Sequence, residues 1–72
     1  MKTTKEIRNY MMTNYEDHID YTCNVLNMTS LAEDACEYFG DYSDEDYNVP
    51  DEYYDTAYEV NKYLVAHDIC QN

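Results

Sequence analysis

The chain has 72 residues, of which 16 are acidic and only 4 are basic, so its formal net charge is −12 at pH 7. This length is enough for one small core. The charge argues against direct nucleic-acid binding, which needs Lys and Arg to neutralise phosphates, and against binding to an anionic membrane surface. Ten tyrosines distinguish the chain from acidic sequences that stay disordered because they lack aromatic residues.

The cysteines and the N-terminal residues bear on the compartment. No apolar stretch resembles a signal peptide, and no segment reaches the roughly 18 apolar residues of a membrane span, so we expect a cytoplasmic protein. Cys23, Cys36 and Cys70 are odd in number and widely spaced, which favours neither a disulfide framework nor paired zinc ligands. We expect Cys23 and Cys36 to be buried and Cys70 to be an exposed thiol.

The first half of the chain predicts a long amphipathic helix. A threonine cap near residue 3 leads into a helix over about 4–26, with a break near 13–14 as the alternative, because Thr13 and Asn14 are poor helix-interior residues. The stripe that predicts the helix recurs at steps of three and four residues and includes Ile7, Met11, Tyr15, Ile19, Cys23 and Leu26.

Two further helices are predicted beyond residue 27. Ser30 and Glu33 have the spacing of a capping box, which predicts a helix over 31–39 that stops at Gly40. Residues 41–49 form an acidic loop.

The last helix is predicted over 50–67, with Pro50 in its first turn. Its inner face is predicted to hold Tyr53 or Tyr54, Ala57, Val60 or Asn61, and Leu64. Because glycine and proline occur only once each, we expect an all-α fold, a small three- to four-helix bundle in a single domain over 1–72.

The distribution of charge is the strongest functional signal. Residues 9–61 hold 14 of the 16 acids and no Lys or Arg. Asp51, Asp55 and Glu59 are spaced four residues apart, and so are Glu33 and Glu37. Each like-charge pair of this kind destabilises a helix by about 0.2–0.5 kcal/mol. The paired side chains lie roughly 6 Å apart, which is comparable to the distance between phosphates along one nucleic-acid strand.

This pattern predicts a surface that occupies the basic nucleic-acid-binding groove of another protein. Nearby tyrosines supply rigid contact area and hydroxyl groups. The alternative is a helical adaptor or regulator that binds a protein partner through apolar and tyrosine contacts, with the charge serving solubility. The predicted partner-binding residues are Glu33, Glu37, Asp44, Glu45, Asp46, Tyr47, Asp51, Tyr54, Asp55 and Glu59.

Three segments carry a resemblance at the level of a class: the helix from Ser30 to Glu37, the acidic loop from Asp41 to Asp46, and the stretch from Val49 to Asp55. They resemble small acidic proteins of phages and mobile elements, among them nucleic-acid-mimic inhibitors of restriction and CRISPR systems. The likeness covers about half of the chain and is one of composition. It implies an inhibitor that acts in the cytoplasm of a host cell. A homodimer, which would double the acidic face, is one alternative to a monomer.

Other chemistry is less well supported by the sequence. Residues 44–55 have the spacing of an EF-hand calcium loop, but Val49 replaces its glycine and Asp55 its final glutamate. Calcium binding therefore stays an alternative, and we predict no cofactor and no metal. No Cys or His lies at ligand spacing from His18 or His67, so we predict no metal site at either and expect both to be surface residues. A bundle of this size offers little room for a catalytic pocket, so we do not expect an enzyme.

Overall fold

The computed structural model describes residues 3–42, 45–46 and 48–71. This part of the chain is mostly helical, as predicted, but it also contains a short 3₁₀ helix and a two-stranded sheet, so it is not a purely helical bundle. The elements in chain order are α1 (Thr4–Asn14), the 3₁₀ helix (Tyr15–His18), β1 (Ile19–Asp20), β2 (Val25–Leu26), α2 (Met28–Phe39) and α3 (Asp51–Ala66).

The predicted helix over 4–26 is corrected by the structure, because α1 ends at Asn14. At its start, the Thr3 hydroxyl accepts a hydrogen bond from the Glu6 backbone, and the Glu6 carboxylate accepts one from the Thr3 backbone, which is a capping box. At its end, the Asn14 side-chain amide donates to the Tyr10 carbonyl at 2.9 Å. The break therefore falls where the alternative prediction placed it.

A β-hairpin replaces the second half of that predicted helix. Ile19 pairs with Leu26 across the two antiparallel strands, and both are buried. Asn24 in the turn has a φ of 57°, a left-handed conformation that an α-helix does not admit but that asparagine tolerates. Cys23 lies in this turn and is exposed, which corrects the prediction that it is buried.

α2 begins earlier than predicted because Asn27, not Ser30, is its N-cap. The Asn27 side chain accepts a hydrogen bond from the Ser30 backbone N–H at 3.0 Å. The helix starts at Met28, which lengthens the predicted 31–39 helix by one turn. Gly40 ends it as expected, with a φ of 67° and its N–H donating to the Cys36 carbonyl at 2.8 Å.

α3 ends at Ala66, one residue before the predicted end, and the chain then returns to the hairpin. The Gln71 N–H donates to the Asn24 carbonyl at 2.6 Å, and Gln71 forms a parallel bridge with Val25. Cys70 is buried, which corrects the prediction of an exposed thiol. The segment after α3 is thus anchored on the turn of the hairpin.

The three helices pack against one another around one apolar core. Nearly all of the large buried side chains are apolar, so the carboxylates are left on the outside of the helices or at their edges. The core residues are Ile7, Met11, Ile19, Leu26, Leu31, Ala32, Ala35, Cys36, Tyr53, Ala57, Val60, Leu64 and Cys70.

Candidate functional site: an acidic interaction surface

The outer face of α3 carries Asp51, Asp55 and Glu59, which we call the α3 acidic row. All three side chains are exposed. Their placement follows from the helical repeat, since Tyr53 and Ala57 occupy the opposite face and are fully buried. The row therefore places three like charges along one line of the helix surface, with about 5–6 Å between successive Cβ atoms.

Two tyrosines lie beside the α3 acidic row. Tyr54 is 39% exposed and Tyr58 is 53% exposed, so each presents part of its ring and its hydroxyl to solvent. The sequence left open whether Tyr53 or Tyr54 faces inward, and the structure places Tyr53 in the core. Tyr54 is thus free to contact a partner, as the prediction requires.

Residues 9–61 contain no Lys or Arg, but cations from outside this range lie near them in the fold. Lys62 lies 3.9 Å from the Glu59 carboxylate, and its ammonium group is 5.6 Å from the centre of the Tyr58 ring, within the range of a cation–π contact. Arg8 of α1 lines the same depression between α1 and α3 as Asp55 and Glu59. The end of the row at Glu59 is therefore more nearly balanced in charge than the end at Asp51.

The acidic pair of α2 belongs to another depression. Glu33 and Glu37 are exposed, and they line a shallow groove together with His18, Asp34 and Tyr42. Lining residues of this groove come from the 3₁₀ helix and α2, whereas the groove beside the α3 acidic row lies between α1 and α3. The predicted binding residues thus form separate acidic patches that flank different grooves.

The acidic loop contributes part of the predicted set. Glu45 and Asp46 are exposed, while Asp44 and Tyr47 lie outside the described residues, so the predicted contribution of these two is not placed. Among the residues that the structure describes, no group of three or more His, Cys, Asp or Glu side chains is arranged to hold a metal ion.

Other carboxylates have partners inside the fold. The Tyr53 hydroxyl donates to Asp41 at 2.7 Å. Burial of the ring, and then the hydrogen bond and the charge of Asp41, raise the pKa of Tyr53 above its ordinary value. Burial also raises the pKa of the Cys36 thiol. The charge of Asp41 adds to this shift, while a hydrogen bond from the Asp41 backbone opposes it. Asp41 therefore has a structural role, because it satisfies a polar group at the edge of the core.

Asp34 joins three elements. It accepts hydrogen bonds from the Tyr10 hydroxyl at 3.2 Å and from His18 Nε2 at 3.0 Å. The other ring nitrogen, His18 Nδ1, is 2.6 Å from the Ser30 hydroxyl oxygen. Burial of Tyr10, and then the charge of Asp34, raise the pKa of Tyr10. The expectation that His18 is a surface residue is corrected, since its side chain is only 13% exposed and both of its ring nitrogens have a partner.

This Ser30–His18–Asp34 cluster was missed by reasoning from the sequence. Ser30 and Asp34 are four residues apart on α2, and that spacing is a signal that their side chains lie on one face of a helix. Nothing in the sequence shows that His18 reaches this face, because its position depends on the hairpin that turns the chain back towards α2.

No helix in the described part of the chain is long and apolar enough to cross a membrane. Comparison with known protein families, curated protein sequences and solved structures finds no match to this chain.

Proposed function

We propose that this protein inhibits a nucleic-acid-handling defence enzyme of a host cell by occupying its basic nucleic-acid-binding groove as a nucleic-acid mimic. The observation that carries the proposal is the exposed α3 acidic row. Among the described residues, no cation forms an ion pair with Asp51 or Asp55, and both face solvent. The row thus offers a line of carboxylates to basic side chains that normally contact phosphates.

The arrangement of the charge supports this function over solubility alone. A soluble surface needs net charge, but it does not need like charges four residues apart on one helix, since each such pair costs about 0.2–0.5 kcal/mol. A surface with both signs interspersed and a net charge of magnitude about 2–8 is enough for solubility and avoids this cost. A role in binding would explain why the protein keeps rows of like charges that are unfavourable for folding.

The tyrosines beside the row suit the same partner. Grooves that bind nucleic acid are lined by Arg and Lys, and a guanidinium group stacks on an aromatic ring while its N–H groups pair with a carboxylate. The contact of Lys62 with Tyr58 and Glu59 shows this combination of a cation, a ring and a carboxylate within the protein. A partner's arginine would find the same groups at Tyr54 and Asp55.

A displacement assay tests the proposal. A fluorescent DNA duplex or a guide RNA is bound to each of a panel of restriction endonucleases and CRISPR nucleases, and its anisotropy is followed as the protein is added. We expect the protein to displace the nucleic acid from at least one enzyme. The displacement should weaken steeply with salt, because charged contacts are screened.

The matched variants are two double charge reversals. Asp55→Lys with Glu59→Lys reverses two of the three charges of the α3 acidic row, whereas Glu16→Lys with Asp17→Lys changes the net charge equally at two exposed positions of the 3₁₀ helix. The first pair should abolish displacement and the second should leave it nearly unchanged, with folding of both checked by circular dichroism. An equal loss of displacement in both variants would show that it depends only on net charge, which would contradict the proposal.

A second candidate, the helical adaptor, is favoured by an aromatic cluster on another side of the molecule. Tyr38 is 66% exposed, and its ring stacks on Tyr10 with 4.3 Å between centroids, while Phe39 meets both rings edge-on. Rings exposed in this way are typical of protein interfaces. A complex formed here would be nearly insensitive to salt and would be lost in Tyr38→Ala, and sedimentation analysis shows whether the partner is a second copy of the chain.

A further inference from the structure

The Ser30–His18–Asp34 cluster has the connectivity of a nucleophile, a base and a residue that orients the base. The Ser30 hydroxyl oxygen is 2.6 Å from His18 Nδ1, and His18 Nε2 is 3.0 Å from an Asp34 oxygen. These distances are within the range in which a serine and a histidine exchange a proton. The cluster lies outside the α3 acidic row.

The hydrogen bonds define which atoms carry protons. A carboxylate only accepts, so the proton of a neutral imidazole is on Nε2 and points to Asp34. Nδ1 then has a free lone pair, and the Ser30 hydroxyl donates to it. This is the state in which the histidine can accept the serine proton, while the negative charge of Asp34 stabilises the imidazolium that results.

Two features make Ser30 accessible and favour charge on its oxygen. It is half-buried and lines a shallow groove of about 310 Å³ that is open to solvent and shared with Glu33, Glu37 and Tyr42. It also lies in the first turn of α2, where the positive end of the helix dipole stabilises a developing negative charge.

We propose that Ser30 is an activated nucleophile that forms a covalent ester with electrophilic acyl or phosphonyl compounds. In the step, Ser30 Oγ attacks the carbonyl carbon or the phosphorus while its proton passes to His18 Nδ1. The bond to the leaving group breaks. His18 returns the proton to a departing alkoxide, whereas fluoride leaves as the free anion and the proton on His18 passes to solvent. His18 is the base, and Asp34 is a positioning residue that acts through it. The carboxylates of Glu33 and Glu37 favour neutral or cationic reagents over anionic ones.

A fluorophosphonate probe with a neutral alkyl chain tests this reactivity on the 72-residue chain, with intact mass and peptide mapping as readouts. The chain contains two serines, Ser30 and Ser43, so the second serves as an internal control. We expect one adduct, at Ser30, that disappears in Ser30→Ala and persists in Ser43→Ala. His18→Gln should slow labelling by on the order of 100-fold, the contribution of a general base.

Wild-type protein unfolded in urea supplies the baseline for a serine without a base, in case His18→Gln does not fold. Labelling of folded protein at the rate of the unfolded chain, or equal labelling of Ser30 and Ser43, overturns the proposal. Asp34→Asn gives a readout that a purely structural role would not move. Asp34→Asn should slow labelling of Ser30 while labelling of Ser43 is unchanged, and Asp34→Glu, which keeps the carboxylate, should restore part of the lost rate.

Discussion

The two sides of this molecule use carboxylates in opposite ways. Asp34 and Asp41, on α2 and directly after it, accept hydrogen bonds from His18, Tyr10 and Tyr53 and hold elements together. The carboxylates of the α3 acidic row face solvent, and two of its three members have no ion pair with any described cation. Carboxylates of the first kind contribute to folding, whereas those of the second kind oppose one another.

A count of acidic residues therefore carries little information about their roles. Glu33 and Asp34 are neighbours in the chain, yet Glu33 is exposed while Asp34 bonds to two other elements. What separates the two roles is the presence of a donor on a facing element. Substitutions on each side should therefore have different, and sometimes opposite, effects on stability.

The largest effect on stability is expected from loss of Tyr53, the buried ring whose hydroxyl donates to Asp41. Tyr53→Ala should lower the free energy of unfolding by about 3–5 kcal/mol, the cost of removing a large buried ring, which approaches the whole stability of a small domain. Tyr54→Ala, one residue along but exposed, should change it by less than about 0.5 kcal/mol. Urea unfolding followed by circular dichroism measures both, and similar values would place Tyr54 in the core.

The next largest effect is expected from alkaline pH, which should lower the free energy of unfolding through Tyr53. Because the pKa of Tyr53 is raised in the folded protein, its stabilising contribution is complete below the ordinary tyrosine pKa of about 10. Above that pH the unfolded chain loses the proton while the folded chain keeps it. The free energy of unfolding should fall by about 1.4 kcal/mol per pH unit from this group.

Tyr53→Phe is the control for this dependence. The variant lacks the ionisable hydroxyl, so its free energy of unfolding should fall less steeply between pH 10 and 11 than that of the wild type. Equal slopes in urea titrations at several pH values would show that Tyr53 titrates alike in the folded and unfolded states.

A smaller effect is expected for the bonded carboxylate of α2. Asp34→Ala removes the acceptor for both His18 and Tyr10 and should destabilise the protein by about 1 kcal/mol. Glu33→Ala should be neutral or slightly stabilising, because alanine favours the helix and a repulsion with Glu37 is lost. Thermal unfolding of the two variants compares them directly. A greater loss in Glu33→Ala would reverse the roles assigned here.

The smallest effect is expected in the α3 acidic row, and its sign is opposite. Asp55→Asn removes one member of two like-charge pairs, so it should stabilise the protein by about 0.2–0.5 kcal/mol for each pair. The gain should shrink as salt is added, since exposed charges are screened. Chemical unfolding at low and at high salt measures it. A destabilised variant would mean that Asp55 has a partner within the fold.

The sequence predicted those parts of the fold that depend on neighbouring residues. The threonine cap of α1 and the stop at Gly40 are local hydrogen-bonding and backbone effects, and both occur in the structure. The hairpin was missed because Ile19 and Leu26, seven residues apart, fit one face of a helix as well as they fit opposite positions in two strands. The cap at Asn27 was missed because Ser30 and Glu33 matched a capping box.

The candidate site divides in the same way. Exposure of the α3 acidic row follows from the helical repeat, so it was predictable. Arg8 lies near the α3 acidic row, and His18 contacts α2, only because segments distant in sequence pack together. Local sequence patterns do not reveal such packing. Such long-range contacts can be predicted only when the topology is known.

The exposed turn of the hairpin has a practical consequence. Cys23 is exposed there, whereas Cys36 and Cys70 are buried, so a maleimide dye added to the folded protein should attach at one position without any engineered cysteine. Because Asn24, the next residue, receives the hydrogen bond from Gln71, a dye at Cys23 would report by its fluorescence when the two ends of that contact separate. The native chain thus supplies its own position for spectroscopy.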